Sequence, residues 1–405
     1  MGDAPSVLFP KKSSGDSSPA RHNESHYEFL ARADTEAWQR VREALTDWVG
    51  EMPAEVRADV IARLEADNTQ HRAAWWEVYL HAALIRAGYQ LIPHPEVARS
   101  TRRPDYLLRG NGFAFYVEAR ITGHQPTSIA ARRRLNAVYD LLNDIDSPNF
   151  FLDVDVEATS DQPPGTRQLR KDLEAWLATL DPDAITSPEE WPSWTWRNQT
   201  GWALVFRAIP KSPKARGNPD MRAVGIYDHG GVRIVDHKAP LLDALQFKGS
   251  RYGKLDLPFV VAVMEDGDYP PDASSIADAL YGTSVGDFDP ATGAVVERKE
   301  RAADGYWRDT TGPRHTLVSA VITAWSLSPW EVPRRYPRVW HNPHAANPLV
   351  APLPFPSVRY RPEQNDFEEA QSATEPSDLF GRPIDWPHFP ARSWEQPNGE
   401  AEAAD

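Results

Sequence analysis

A β-hairpin is predicted by the segment Arg103-Pro-Asp-Tyr-Leu-Leu-Arg-Gly-Asn-Gly-Phe-Ala-Phe-Tyr-Val-Glu-Ala-Arg120. Two short apolar runs flank Gly110-Asn111-Gly112, whose residues tolerate a positive φ and favour a tight turn. Because side chains alternate along a strand, Glu118 and Arg120 share one face of the second strand. Phe115 lies on the opposite, apolar face, which must be covered by a core.

Two carboxylates are expected to meet across this hairpin. Asp105 lies at the mouth of the first strand, directly after Pro104, and Glu118 lies on the second strand. The cation of Arg120 follows two residues beyond Glu118. Carboxylates from adjacent strands can hold a divalent metal ion, and a neighbouring cation can hold a phosphate.

The pattern Pro104-Asp105 followed by Glu118-Ala119-Arg120 resembles the PD-(D/E)XK nuclease superfamily, which includes many restriction endonucleases. The resemblance covers residues 69–160, less than a quarter of the chain. It implies a core of a helix, a three-stranded antiparallel unit and a second helix, and a metal site in which Asp105 and Glu118 bind Mg²⁺ or Mn²⁺. The last motif position in that family is normally lysine, which helps to polarise the attacking water, and here it is Arg120.

A helix is predicted over residues 69–87, with Gly88 as its stop. Its apolar stripe has helical spacing and consists of Trp76, Tyr79, Leu80, Ala83, Leu84 and Ala87. Glu77 lies at the edge of this stripe. The resemblance implies a role for Glu77 as a further metal ligand, and the alternative is an ion pair with an arginine. Residues 89–93 follow as a strand, which gives the order of elements found in the family.

Charge is distributed unevenly along the chain, whose net charge is −14. Residues 363–405 hold eleven acidic and two basic residues, whereas residues 99–134 hold eight arginines and two acidic residues. The basic density therefore surrounds the predicted site, where phosphates would approach. The predicted nucleic-acid-binding residues are Arg102, Arg103, Arg132, Arg133 and Arg134. The alternative is a solvated arginine-rich surface.

A second acidic group competes for the metal. A predicted strand at 150–158 places Asp153, Asp155 and Glu157 on one face. Charged residues on the solvent face of a strand explain the pattern without a metal, and this explanation is favoured. The helix predicted over 127–146 would be the second core helix. A later helix over 166–180 carries Lys171, an alternative source of the missing lysine.

The predicted fold class is α/β, with mixed α+β character: a restriction-endonuclease-like core with N-terminal helices and a C-terminal α/β extension. The expected segments are a disordered N-terminus (1–30), a helical extension (31–68), the nuclease-like core (69–165), a C-terminal α/β part (166–350) and an acidic proline-rich tail (351–405). Strands are predicted at 202–209, 222–227, 259–264 and 316–324. They form one mixed sheet with the core or a separate lobe, and both alternatives stay open.

The chain has no cysteine and no apolar run of the length that a membrane span needs, so a cytoplasmic protein without a membrane partner is expected. The resemblance implies a magnesium-dependent endonuclease acting on DNA, in restriction or phage defence. The alternative is an inactive nuclease fold that binds nucleic acid or serves as a protein scaffold. A homo-oligomer or a protein partner would be engaged through the C-terminal half. A basic stretch at 248–254 could also touch nucleic acid, with Tyr252 stacking on a base, but a turn with solvated charges is favoured.

Overall fold

The computed structural model describes residues 8–9, 15–16, 18–98, 100–123, 129–218, 223, 237–249, 252–253, 255–267, 270–288 and 295–389. Its first elements are α1 (His26–Arg32), α2 (Glu36–Glu51), α3 (Ala54–Leu64), α4 (Asn68–Arg86), β1 (Gln90–Pro93), β2 (Tyr106–Gly110) and β3 (Phe113–Gly123). The next are α5 (Ile129–Asn143), β4 (Phe150–Ala158), α6 (Thr166–Leu177), β5 (Ser193–Arg197), β6 (Ala203–Pro210), α7 (Lys238–Gly249), β7 (Phe259–Asp266), α8 (Ala273–Tyr281), β8 (Ser284–Phe288) and β9 (Val295–Arg301). The last are β10 (Asp304–Gly305), β11 (Arg308–Asp309), β12 (Gly312–Pro313), β13 (Ala320–Trp325), β14 (Arg338–His341), β15 (Ser357–Arg361), β16 (Asp366–Ala370) and α9 (Pro376–Phe380).

The chain forms two compact units. The first unit consists of residues 1–18, 25–124 and 235–405, and the second of residues 19–24 and 125–234. The protein is of the mixed α/β class that the sequence predicts. The units differ from the predicted domains at 69–165 and 166–350, because strands from both predicted domains pair in one sheet.

Eight described strands form the mixed sheet of the first unit, in the order β1-β2-β3-β7-β13-β14-β15-β16. β1, β2 and β3 are antiparallel neighbours. β7 lies parallel to both β3 and β13. Within the first unit, the elements from the hairpin region onward follow in the chain as α4, β1, β2, β3, α7 and β7. The last of these, β7, is parallel to β3, the second strand of the hairpin. The sequence left open whether the later strands extend this sheet, and β7, β13 and β14 do so.

Helices cover both faces of the sheet. Helices α2, α3 and α4 pack on one face, against side chains that include Leu108, Phe115 and Val117. Helices α7 and α8 pack on the other face, against side chains that include Leu107 and Tyr116. The alternation predicted for the hairpin therefore separates two cores, and each face is buried under its own helices.

The hairpin turn also closes the end of α4. Asn111 and Gly112 adopt φ angles of 53° and 81°, which such residues accept most readily. The Asn111 side-chain amide donates a hydrogen bond to the Ala87 carbonyl oxygen. Carbonyl groups at the end of a helix have no partner within the helix, and this bond supplies one. Gly88, with a φ of 87°, ends the helix as predicted. Both the hairpin and α4 are confirmed close to their predicted bounds.

The second unit contains an antiparallel sheet in the order β4-β6-β5. Helices α5 and α6 cover its apolar face, through side chains such as Val138, Leu142, Leu169 and Leu173. The prediction that helix 127–146 is the second core helix of the nuclease-like core is therefore wrong. Its apolar stripe belongs to this separate core, and α7 is the helix that precedes the parallel strand β7.

The termini are more ordered than their composition indicated. Leu8 is buried, and α1 begins inside the segment 1–30 that was expected to be disordered. In the predicted tail 351–405, β15 and β16 extend the sheet, and Phe380 and Trp386 are buried in the core. Large aromatic side chains that bury their surface outweigh the proline and acidic content of this tail.

Some predictions fall on residues outside the described ranges. The predicted strand at 222–227, except for Ala223, and residues 250, 251 and 254 of the basic stretch 248–254 are among them. In the part of the chain that the structure describes, no helix is long and apolar enough to cross a membrane.

Candidate active site

Asp105 and Glu118 lie beside each other across the predicted hairpin. Tyr106 pairs with Val117 in the antiparallel register, so the residue before β2, Asp105, is next to Glu118. Asp105 Oδ2 accepts a hydrogen bond from the backbone N–H of Ala119 at 2.8 Å. This contact fixes the Asp105 carboxylate against β3, one residue from Glu118. The register therefore places the two predicted carboxylate residues at facing positions of neighbouring strands.

Glu118 is almost fully buried, with 1% of its surface exposed. The hydroxyl group of Tyr252 donates to Glu118 Oε2 at 2.5 Å. Tyr252 is itself buried among the side chains of the α7 and α8 face. A buried carboxylate is unfavourable unless hydrogen-bond donors replace water, and the phenol supplies one. Tyr252 therefore orients Glu118, and its buried ring does not fit the stacking role that was the less favoured alternative.

Arg120 continues the same face of β3 and lines a cavity. It is half-buried and pairs in register with Val263 of β7. The cavity has a volume of about 510 Å³ and is bounded by Arg120 and Thr122 from β3 and by Asp243 and Gln246 from α7. A guanidinium group at a cavity wall can bind a phosphate through two parallel hydrogen bonds.

Glu77 binds Arg63 through both carboxylate oxygens. Arg63 Nη1 and Nη2 donate to Glu77 Oε1 and Oε2 at 2.8 and 2.7 Å, and this contact raises the pKa of the guanidinium. Burial, with the nearby charges of Glu77 and Asp105, raises the pKa of the Tyr106 phenol well above 10. Helix α4, which carries Glu77, packs on the face opposite Glu118. The structure therefore gives Glu77 an arginine partner, which is the alternative to a role as a metal ligand.

The donor set at the hairpin suits a hard cation. Magnesium is usually held by one or two carboxylates and keeps several waters, so Asp105 and Glu118 together are a sufficient protein contribution. Asp105 accepts a hydrogen bond from the Ala119 N–H, and Glu118 accepts one from the Tyr252 O–H. Across the described ranges, no group of three acidic or histidine residues has the spacing of a metal site.

The predicted phosphate-binding arginines of the first unit are exposed. Arg102 and Arg103 both lie on the surface in the segment leading to Asp105. Arg103 makes an exposed ion pair with Glu96 at 2.7 Å, which contributes little to stability and can be exchanged for a phosphate. Arg99, counted in the same basic region, lies outside the described residues.

The other three predicted arginines belong to helix α5 of the second unit. Arg132 and Arg133 are exposed there. Arg134 instead donates to the Ser160 carbonyl oxygen at 2.9 Å and pairs with Asp161. Arg134 therefore has a structural contact within its own unit, which the helical pattern could not reveal.

The acidic residues of β4, which the sequence offered as an alternative metal site, lie close to arginines of the same sheet. Asp155 pairs with Arg207 of β6 at 2.7 Å, and Asp153 lies 3.8 Å from the same guanidinium. Glu157 pairs with Arg197 of β5 at 2.6 Å. Cross-strand ion pairs explain this row, which the sequence assigned to a solvent face.

Two important partners could not be found from the sequence. Tyr252 lies 134 residues from Glu118 along the chain, and Arg63 lies on a helix for which no chemistry was predicted. No local pattern links either residue to its carboxylate, because both contacts depend on tertiary packing. Comparisons with protein-family models, curated proteins and solved structures found no match to this chain.

Proposed function

We propose that this protein is a metal-dependent nuclease that hydrolyses phosphodiester bonds of DNA, of the kind used in restriction or phage defence. The observation that carries the proposal is the adjacent pair of Asp105 and Glu118, with Arg120 two residues beyond on the same face. The order of helix, three antiparallel strands, helix and parallel strand supports a restriction-endonuclease-like core.

Asp105 and Glu118 would hold Mg²⁺ or Mn²⁺ through their carboxylate oxygens. When bound, such an ion stabilises negative charge on a phosphate and lowers the pKa of a coordinated water. The protein's part is to hold both carboxylates in place, through the Ala119 N–H and the Tyr252 hydroxyl. Fixed donors of this kind avoid reorganisation during the reaction.

Arg120 would bind the phosphate that is to be cleaved. Its guanidinium remains protonated at all relevant pH values, so it can stabilise charge but cannot accept a proton from water. The cavity of about 510 Å³ beside it leaves space for a phosphate and an adjoining sugar. The exposed Arg102 and Arg103 would contact neighbouring phosphates and make binding sensitive to salt.

The test is cleavage of plasmid and linear DNA with Mg²⁺ or Mn²⁺. We expect metal-dependent cutting by the wild type, and its loss in Asp105→Asn and in Glu118→Gln. Glu157→Gln is the matched control, since it alters an acidic residue of the competing row. Loss of cutting in the control but not in the hairpin variants would overturn the proposal.

A second candidate is a nuclease fold that binds nucleic acid without cutting it. The burial of Glu118 beneath Tyr252, together with arginine at the lysine position, favours this alternative. It predicts metal-independent DNA binding and no cleavage by the wild type. Arg120→Lys would then be the variant in which to look for restored cutting.

A further inference from the structure

A second cavity, of about 280 Å³, lies in the first unit where strands β7 and β13 end. Val263 and Glu265 of β7 and Thr323 and Trp325 of β13 contribute to its wall. Open α/β sheets usually bind ligands outside the carboxyl ends of parallel strands. The volume is near the lower end of the range of about 300–1,000 Å³ typical of small-molecule sites.

Glu265 contributes a carboxylate to this wall, and a neighbouring histidine fixes its orientation. Its Oε1 lies 2.7 Å from Nδ1 of His237, the residue before α7, and each side chain is only 8% exposed. Such burial is unfavourable for a carboxylate without partners, and the histidine supplies one and fixes its orientation. The wall of the cavity therefore presents an acceptor for N–H groups of a ligand.

Trp325, which lines the same cavity, carries a buried hydrogen-bond donor without a partner in the part of the chain that the structure describes. Within the described residues, its indole N–H is buried and has no hydrogen-bond acceptor. Buried polar groups in proteins nearly always have a partner, so this donor calls for an acceptor that the described residues do not supply. A carbonyl oxygen or a ring nitrogen would satisfy it.

Aromatic rings form much of the remaining wall, and two of them are already in contact with arginines. The Arg335 guanidinium lies 5.0 Å from the Trp325 ring centre, and Arg338 lies 5.9 Å from that of Trp340. An organic cation would have to compete with these guanidinium groups for the rings and would be repelled by their charge. A neutral, flat ring avoids this repulsion and can stack on an aromatic surface.

We propose that this cavity binds a nucleobase. The N–H groups of the base would donate to Glu265, and its carbonyl oxygen or ring nitrogen would accept from Trp325. The base can belong to a free nucleoside or to a nucleotide turned out of a strand. The site is separate from the Asp105 and Glu118 pair, so it stands whether or not that pair cuts DNA.

The test is calorimetric titration of the full chain with four ribonucleosides and with two trinucleotides, one of which has an abasic site at its centre. We expect saturable binding of at least one base, weakened about tenfold or more in Glu265→Gln, which loses a charged acceptor. Trp325→Phe keeps a ring but removes the donor, and should weaken binding several-fold. Glu51→Gln, a carboxylate paired with Arg86 away from the cavity, is the matched control and should bind like the wild type.

Binding of free nucleosides would support the proposal and identify a soluble ligand. Binding of the intact trinucleotide alone, and not of its abasic form, would support it with the base presented by a strand. No saturable binding of any of these, equal affinity of Glu265→Gln and wild type, or tighter binding of choline than of every base would overturn it. If Glu265→Gln fails to fold, as judged by circular dichroism, the comparison of Trp325→Phe with the wild type decides.

Discussion

Acidic residues occur in both units of this protein, but their partners differ. Along β4 of the second unit, Asp155 meets Arg207 of the adjacent strand β6 at 2.7 Å, and Glu157 meets Arg197 of β5, the strand beyond β6, at 2.6 Å. In the hairpin of the first unit, Asp105 accepts from a backbone N–H and Glu118 from a phenol. A guanidinium brings a positive charge to a carboxylate, whereas an N–H or O–H group orients it without adding a charge. The same alternation in the sequence therefore occurs in two settings: ion pairs between strands in the second unit, and in the first unit the pair that is proposed to bind a metal.

The largest effect expected from this comparison concerns the arginines. Arg120→Ala should lower DNA cleavage on the order of 10²-fold, since it removes a charge that stabilises the transition state. Arg120→Lys should retain cleavage within about tenfold, because the positive charge remains. Arg197→Ala, in the second unit, should leave the cleavage rate unchanged. Equal losses in Arg120→Ala and Arg197→Ala, measured on supercoiled plasmid, would contradict the distinction.

Removal of the structural arginine should reduce stability instead. Arg207→Met takes away a cation that lies near Asp153, which is nearly buried, and pairs with Asp155. We expect a loss of about 2 kcal/mol in the free energy of unfolding, because the nearly buried Asp153 loses a nearby cation. Arg197→Met breaks an exposed pair and should cost less than about 1 kcal/mol. Urea denaturation of both variants measures the difference, and equal losses would contradict it.

Acid should weaken the first unit through its buried histidines. Burial lowers the pKa of His71 to about 4 and that of His81 to about 4. Because the folded pKa lies below the unfolded value of about 6.5, the stabilisation is complete above pH 6.5 and is lost as the pH falls toward 4. At pH 5 each histidine should cost about 2 kcal/mol relative to pH 8.

Hydrogen exchange read by mass spectrometry, corrected for the intrinsic pH dependence, can follow peptides of α4 through this range. We expect their protection to fall between pH 6.5 and 4, and to fall less in His71→Gln. Unchanged protection of α4 across this interval would show that the two histidines do not control acid stability.

The smallest effect concerns the phenol over Glu118. Tyr252→Phe removes one donor from a buried carboxylate and should lower the free energy of unfolding by about 1.5 kcal/mol. The control is Tyr116→Phe, whose hydroxyl donates to Asp256 at 3.2 Å, and we expect a loss below about 0.5 kcal/mol. Chemical denaturation at pH 8 distinguishes these values. A larger loss in the control would mean that Tyr252 does not hold Glu118.

Local features of the fold were predictable from the sequence. The Gly-Asn-Gly turn and the alternation beyond it gave the hairpin and the adjacent carboxylates, since both depend on neighbouring residues. The parallel strand β7 could be recognised as a buried strand, but its place beside β3 could not. Residues 125–234 separate the two strands in the chain as a unit of their own, and sequence periodicity carries no information about such distant pairing.

The composition of the tail led to an incorrect prediction for a similar reason. Proline and acidic residues dominate 351–405, yet Phe380 packs against Trp48 with ring centres 5.6 Å apart. Two large aromatic side chains anchor this segment, and the average composition of the segment does not reveal them. Likewise, Tyr252 contacts Glu118 and Arg63 contacts Glu77 from segments that have no motif of their own.

The insertion of the second unit between β3 and α7 also determines the order of events during synthesis. The ribosome completes β3 more than a hundred residues before it completes β7, although these strands are neighbours in the finished sheet. Closing so long a loop of unfolded chain would be entropically costly, and prior folding of the intervening residues shortens the effective loop. The inserted unit can thus act as an intramolecular spacer during translation, and the sheet that carries Asp105 and Glu118 can be completed only after that unit has left the ribosome.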